Sequence, residues 1–142
     1  MRVLAIDFGE ERIGLAISDA AGTLALPLTT IRRESDRQAI SRIHDIARRE
    51  GIEMFVVGDP RNMDGTRGES TLRAESFSRK LESATGLSCV LVDETLTSEA
   101  AKERLVEAGV DLRRHRERID AVAAQILLEE FLSRGDGEPT DG

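Results

Sequence analysis

Three carboxylates in this chain, Asp7, Glu94 and Asp120, are placed so that one site could hold them all. Asp7 closes the apolar run that starts at Val3, and Glu94 follows the apolar run Leu87–Val92. Asp120 stands near the start of a helical stretch, with Ala123, Ala124 and Leu127 at plus three, four and seven. Its carboxylate therefore shares the packed stripe of that helix and not the solvated one. A charge so placed needs a partner. A divalent cation would serve all three acids, because carboxylate oxygens are natural ligands of Mg²⁺ and Mn²⁺. Two such ions about 4 Å apart hold the attacking and leaving oxygens of a phosphodiester during in-line displacement. The chemistry suggested is metal-dependent hydrolysis of a nucleic-acid backbone. Each acid taken singly also has an ordinary reading. Asp7 could be the turn residue of an Asp-x-Gly, Glu94 could contact nearby backbone amides, and Asp120 could be an acid in a first helical turn, favoured by the macrodipole.

The elements that must position these acids can be read from periodicity. Val3–Ser18 contains two runs rich in Val, Ile and Leu, separated by Gly9 and Gly14, which predicts an antiparallel hairpin with both glycines in its turn. Gly9 permits a tight turn and leaves open space beside Asp7. Thr23–Ile31 reads as a third strand, and Pro27 places it at or near a sheet edge. Ser35 with Gln38 three residues on is a capping-box signal, and Ala39, Ile40, Ile43, Ile46 and Ala47 then recur at helical spacing up to Gly51. Met54–Gly58 is a continuous apolar run, expected to be a strand covered on both faces, and a long polar loop follows it. Ala74, Phe77, Leu81 and Ala84 outline a second helix closed by Gly86. Leu87–Val92 repeats the buried-strand signal and contains Cys89, expected to be a buried thiol. Ala100, Ala101, Leu105 and Ala108 give a third helix ending at Gly109, and Ile119–Leu132 a final one. The order β-β-β-α-β-α-β-α-α implies an α/β domain around a mixed five-stranded sheet, with three antiparallel strands followed by parallel ones and helices flanking them. Ligands of such sheets bind outside the carboxyl ends of the parallel strands, where Asp7 and Glu94 fall.

At 142 residues the chain suits one core that stands without disulfides or a structural metal. One domain over residues 1–134 is expected, followed by a disordered acidic, Gly-rich tail over 135–142. The single cysteine excludes a disulfide framework and a cysteine zinc site, and fits a reducing cytoplasm. No leader is apparent and no apolar stretch approaches the roughly 18 residues that span a bilayer, so a cytoplasmic protein with no membrane partner is expected. The net charge of −7 argues against non-specific coating of nucleic acid. A local basic surface is still available. Arg113, Arg114, Arg116 and Arg118, around His115, stand just upstream of Asp120, where they could neutralise phosphates or form a solvated face. Asn62, Thr66 and Arg67, on the long loop, could hold phosphates or be ordinary surface residues. Thr95, Thr97 and Ser98 are hydroxyls at a helix entrance, able to cap it or to bind phosphate. With no Trp or Tyr and four Phe, recognition would rest on backbone shape and charge more than on base stacking.

Four strings carry a family resemblance: Ile6-Asp-Phe-Gly-Glu-Glu-Arg-Ile-Gly-Leu-Ala-Ile-Ser-Asp19, Val57-Gly-Asp-Pro-Arg-Asn-Met-Asp-Gly-Thr66, Val92-Asp-Glu-Thr-Leu-Thr-Ser98 and Ile119-Asp-Ala-Val-Ala-Ala-Gln-Ile-Leu127. In this order and at these spacings the chain resembles the YqgF (RuvX) family over about residues 2 to 132. The resemblance implies an RNase H-like fold and a divalent-metal nuclease in which Asp7, Glu94 and Asp120 match the family's catalytic acids. It implies maturation of the 5′ end of the small-subunit (16S) ribosomal RNA precursor, or, by analogy with RuvC-type enzymes, resolution of Holliday junctions. Symmetric cutting of a four-way junction would call for a homodimer. Two positions depart from the family pattern. Gly58-Asp-Pro60 replaces the usual Gly-Leu-Pro, so Asp59 adds a carboxylate that could join the metal site or cap the turn before Pro60. Glu11 stands where the family often has Lys, which leaves Arg12 as the nearest cation. Two other functions share the Asp-x-Gly hairpin or the fold. One is nucleotide binding of the actin-like and sugar-kinase kind, for whose two lobes 142 residues are too few. The other is a non-catalytic nucleic-acid-binding module.

Overall fold

A computed structural model describes residues 1–60, 68–94 and 97–134, with the side chains at 60, 94, 97 and 98 also outside the description. The elements follow the expected order: β1 (Val3–Phe8), β2 (Arg12–Ser18), β3 (Ala25–Arg32), α1 (Asp36–Glu50), β4 (Met54–Pro60), α2 (Glu69–Thr85), β5 (Ser88–Glu94), α3 (Thr97–Glu107) and α4 (Arg116–Ser133). The strands form one sheet in the order β3-β2-β1-β4-β5. β1, β2 and β3 pair antiparallel, and β4 joins β1 and β5 in parallel. The crossovers through α1 and α2 are what make the later pairs parallel.

Strand alternation divides the core in two. Leu4 and Ile6 of β1, Ile13, Leu15 and Ile17 of β2, and Phe55 and Val57 of β4 pack with the apolar stripes of α1 and α2. Val3, Ala5, Ala16, Val56 and Val92 pack on the other face against Ala124, Leu127, Leu128 and Phe131 of α4. α4 is apolar on two sides because it is covered twice. Val122, Ala123 and Ile126 turn away from the sheet to meet Ala101 and Leu105 of α3. The layers are therefore α1 with α2, the sheet, α4, and α3 outermost.

Local signals set the helix ends. Ser35 accepts a hydrogen bond from the Gln38 amide at 3.1 Å, Gln38 returns its side-chain oxygen to the Glu34 amide, and Gly51 closes α1 in the left-handed region. Asp36, in the first turn of α1, is tied to Arg33 at 2.6 Å and to Lys80 of α2 at 3.0 Å. Burial alone would raise its pKa, but Lys80 and Arg33 outweigh that and hold its carboxyl below the ordinary value. α1 and α2 are thereby joined at the same end of the sheet as the β1–β2 turn.

The structure corrects four expectations. β5 is an edge strand with Ser88, Val90 and Asp93 exposed, so its apolar run is covered mainly on one face. Periodicity cannot tell an edge strand from a central one when the outer residues happen to be apolar. Cys89 is accordingly half-buried and not enclosed. Gly14 lies inside β2 and not in the turn. α4 begins at Arg116, so Arg116 and Arg118 belong to its first turn and do not precede it. β3, by contrast, is the other edge, as Pro27 suggested, and a register irregularity opposite Leu15 and Ala16 accommodates the proline.

Partial burial, with the negative charge of Glu82 beside it, pushes the Cys89 thiol up to about 12. At neutral pH a thiol reagent is expected to label it roughly 10³-fold more slowly than free cysteine, because almost none is thiolate. Labelling kinetics followed by mass spectrometry check this directly.

Candidate active site at the rim of the sheet

One end of the sheet collects the carboxyl ends of β1, β3, β4 and β5 and the amino end of β2. Period-two alternation assigns its residues to faces. Asp7 follows Val3 and Ala5 onto the α4 face, and Arg12 shares that face with Ala16. Position 94 belongs to the face of Val92 and closes β5 in register with Pro60. Asp59 instead follows Phe55 and Val57 onto the α1–α2 face, where it is 4% exposed. It is the penultimate residue of β4 and not the first residue of a loop. On the α4 face the β4 position beside Asp7 is Gly58, in register with Val92, and it carries no side chain, whereas Pro60 is the position in register with residue 94. The strands of Asp7 and Glu94 are about 10 Å apart, two strand spacings.

Gly14 brings the third acid in. It is the ladder partner of Asp7. A Cβ on it would lie 1.9 Å from the carbonyl oxygen of Asp120 and 2.9 Å from the amide nitrogen of Ala121. The first turn of α4 therefore rests directly on the β2 backbone, one strand from Asp7, and any side chain at position 14 would hold it off. The sequence contained a signal for this, since a glycine inside a strand pattern marks close approach of another backbone. Gly9 does something narrower than expected. A Cβ there would meet the Arg12 carbonyl oxygen at 2.5 Å, so its space is filled by the turn itself and the open face beside Asp7 comes from Gly58. The turn is held from outside by Arg33, whose backbone and side-chain N–H groups donate to the Glu11 and Glu10 carbonyls, and by Arg73, 2.6 Å from the Glu10 carboxylate.

Asp120 has the partner its burial demands. Arg12 Nε stands 2.9 Å from Asp120 Oδ2, the guanidinium half-exposed and the carboxylate largely covered. The contact is an ion pair off the line of a proper hydrogen bond. Oδ2 is enclosed and receives no hydrogen bond among the described residues. Burial raises the Asp120 pKa above its ordinary value, and the Arg12 charge only partly offsets it. An enclosed carboxylate oxygen with an unmet hydrogen-bonding site, on the same face as Asp7, fits a hard divalent cation. Among the described residues no three His, Cys, Asp or Glu side chains are grouped closely enough to hold a metal; the Glu94 side chain lies outside them.

A raised folded-state pKa means that Asp120 favours the fold in its protonated form. Stability from this group is present below the ordinary Asp value of about 3.9 and is lost as pH rises through the raised value. In chelator-treated protein at neutral pH, Asp120→Asn is therefore expected to raise the melting temperature slightly and to flatten its decline as pH rises above the ordinary Asp value of about 3.9. Thermal scans across that range check it.

The remaining candidates divide clearly. Arg113, Arg116 and Arg118 are exposed and form no ion pair among the described residues, whereas Arg114 lies 3.9 Å from Asp111. Arg116 and Asp120 are one helical turn apart on α4. His115 is the residue before α4 and approaches Glu117 at 3.8 Å without capping the helix by its side chain. Thr97 opens α3, its side chain outside the description. Asn62, Thr66, Arg67 and Thr95, and the tail over 135–142, lie outside the described residues. Arg32, which no sequence pattern marks out, closes β3 directly opposite Arg12.

The family model described as "RuvX: Holliday junction resolvase" matches residues 1–134. A Syntrophus aciditrophicus protein named "Putative pre-16S rRNA nuclease" is 39% identical over 132 residues, covering 93% of this chain and 88% of the relative. A Moorella thermoacetica protein of the same name is 41% identical over 134 residues, covering 94% and 96%. Among solved structures, Thermus thermophilus RuvC in complex with a Holliday junction substrate superposes with a TM-score of 0.58 at 17% identity, over 97% of both chains. The fowlpox virus resolvase in complex with Holliday junction DNA gives 0.60 at 8% identity, over 94% and 98%. At these identities the structures establish the fold, which is RNase H-like.

Proposed function

This chain belongs to the RuvX family, and from that premise we propose that it is a divalent-metal-dependent nuclease that matures the 5′ end of the small-subunit ribosomal RNA precursor. The observation that carries the chemistry is the close approach at Gly14, which sets Asp120, with its enclosed Oδ2, over the strand next to Asp7 on one face of the sheet. The choice of substrate is supported by relatives of 39% and 41% identity that carry the ribosomal RNA name and match over nearly the whole chain.

Asp7, Glu94 and Asp120 would hold Mg²⁺ or Mn²⁺, and Asp59, assigned to the opposite face, is left out of the set. Two such ions, when bound, stabilise the attacking and leaving oxygens of an in-line displacement at phosphorus. The protein's own groups do the rest. Gly58 keeps the face beside Asp7 clear for the substrate backbone. Arg12 places a half-exposed positive charge beside the acids, where it offsets phosphate charge. Arg113, Arg116 and Arg118, exposed and without an ion pair among the described residues, bind flanking phosphates, with Arg114 contributing more weakly because Asp111 is near it. Asn62, Thr66, Arg67 and Thr95, outside the described residues, and Thr97, whose side chain is also outside them, are proposed as further substrate contacts. Among the described residues no helix is long and apolar enough to cross a membrane, and the substrate proposed is found in the cytoplasm.

The family description favours a second reading, resolution of Holliday junctions by a homodimer. One assay separates the two: cleavage of ribosomal precursor RNA and of a four-way DNA junction side by side, each with Mg²⁺ and with Mn²⁺. Cleavage of the RNA at its 5′ processing site, with the junction left intact, is the expected result. Symmetric cutting of the junction alone would replace the first reading by the second.

A further inference from the structure

Beside Asp120 lies a cavity of about 320 Å³ lined by Glu11, Arg12, Thr30, Arg32 and Glu117. It is built from the ends of β2 and β3 and the first turn of α4, and the Thr30 hydroxyl closes one wall by donating to the Glu117 carbonyl. Arg12 and Arg32 are direct ladder partners across the two strands. Side chains directly opposite on one face have Cβ atoms about 5 Å apart, and like charges in that relation destabilise a sheet. Arg12 is balanced by Asp120, but Arg32 has no ion pair among the described residues. The sheet thus sets two guanidinium groups side by side at the rim of the site, a like-charge pair that a phosphate between them would relieve.

Position along the sheet says which anion. Asp7, Arg12 and Arg32 stand on β1, β2 and β3, consecutive strands spaced about 4.8 Å apart. A polyanion whose reacting phosphate sits at Asp7 and which crosses the strand ends toward the β3 edge would bring its next phosphate to this cavity. The carboxylates of Glu11 and Glu117 in the lining keep the cavity from attracting free anions strongly. They matter less for a phosphate delivered by a backbone already anchored at the acids.

Resting on the nuclease reading above, we propose that Arg32, with Arg12, binds the backbone phosphate adjacent to the scissile one, so that the bound strand runs from the acids across the ends of β2 and β3. Arg32 is a substrate-positioning residue.

The test measures binding of whichever nucleic acid the side-by-side assay shows to be cleaved, as a function of salt, in an Asp7→Asn background that prevents turnover. Arg32→Ala is expected to lower the affinity severalfold and to reduce the slope of log K against log salt by about 0.7–0.9, the loss of one phosphate contact. Arg32→Lys should keep the slope, since a point charge still meets the phosphate. Arg79→Ala, an exposed arginine on α2 without an ion pair among the described residues, should change neither quantity. Glu117→Gln should tighten binding when Arg32 is present and not in Arg32→Ala, a coupling that a general charge effect would not produce. If Arg32→Ala matches Arg79→Ala while wild-type protein cleaves and Asp7→Asn does not, the phosphate track is wrong and the nuclease reading stands. If neither nucleic acid is bound or cleaved by any form, both fall together.

Discussion

Asp7→Asn yields a folded protein that binds its nucleic acid and no longer cuts it. The side chains are isosteric, and position 7 lies at the solvent end of β1, where the enclosed residues are Val3, Leu4, Ala5 and Ile6. The melting temperature should therefore stay close to that of wild type. Cleavage should fall by more than about 100-fold, since removing even an outer-shell partner of a metal ligand costs about that much and Asp7 is proposed as a ligand itself. Single-turnover cleavage with Mg²⁺ and Mn²⁺, beside a binding measurement on the same preparation, gives both numbers. Undiminished cleavage would remove Asp7 from the site.

Gly14→Ala has the second large effect, and it acts through the fold. The added methyl has to displace the carbonyl of Asp120 from 1.9 Å, and that atom is helix backbone, unable to rotate aside as a side chain would. Overpacking usually costs about 1–3 kcal/mol, and a rigid neighbour puts this case at about 3 kcal/mol or more. The expected fall in melting temperature is about 10 °C. Because the shift lifts the first turn of α4 from β2, cleavage should fall at temperatures where the protein is still folded. A variant with unchanged melting temperature would mean that α4 does not rest on β2 as described.

The two variants probe different kinds of legibility. Asp7 was visible in the sequence because a carboxylate ending a Val/Ile-rich run is conspicuous. Gly14 was visible only as punctuation. Its partner is 106 residues away in the chain, and no local pattern points across that distance. Arg32 is inconspicuous for the same reason: nothing in Ile31-Arg-Arg33 says that β3 will place its last residue opposite Arg12. Asp59 shows the converse. Its type suggested a ligand or a turn cap, yet β4 runs two residues past Gly58, and alternation then sends it to the face away from Asp7.

By itself, the sequence determined the elements and their order. Alternation and helical period are properties of neighbouring residues, and Ser35, Gly51 and Gly86 end helices through bonds made within a few residues. It also placed Asp7 and Glu94 at strand ends, which follows from where each apolar run stops. Tertiary structure alone decided which acids share a face, that Arg12 balances Asp120, and that a cavity opens between the ends of β2 and β3. Those outcomes depend on the register of pairing and on α4 settling onto the backbone of β2. They are set by the packing of the whole core around the sheet, which joins residues that local sequence patterns treat as unrelated.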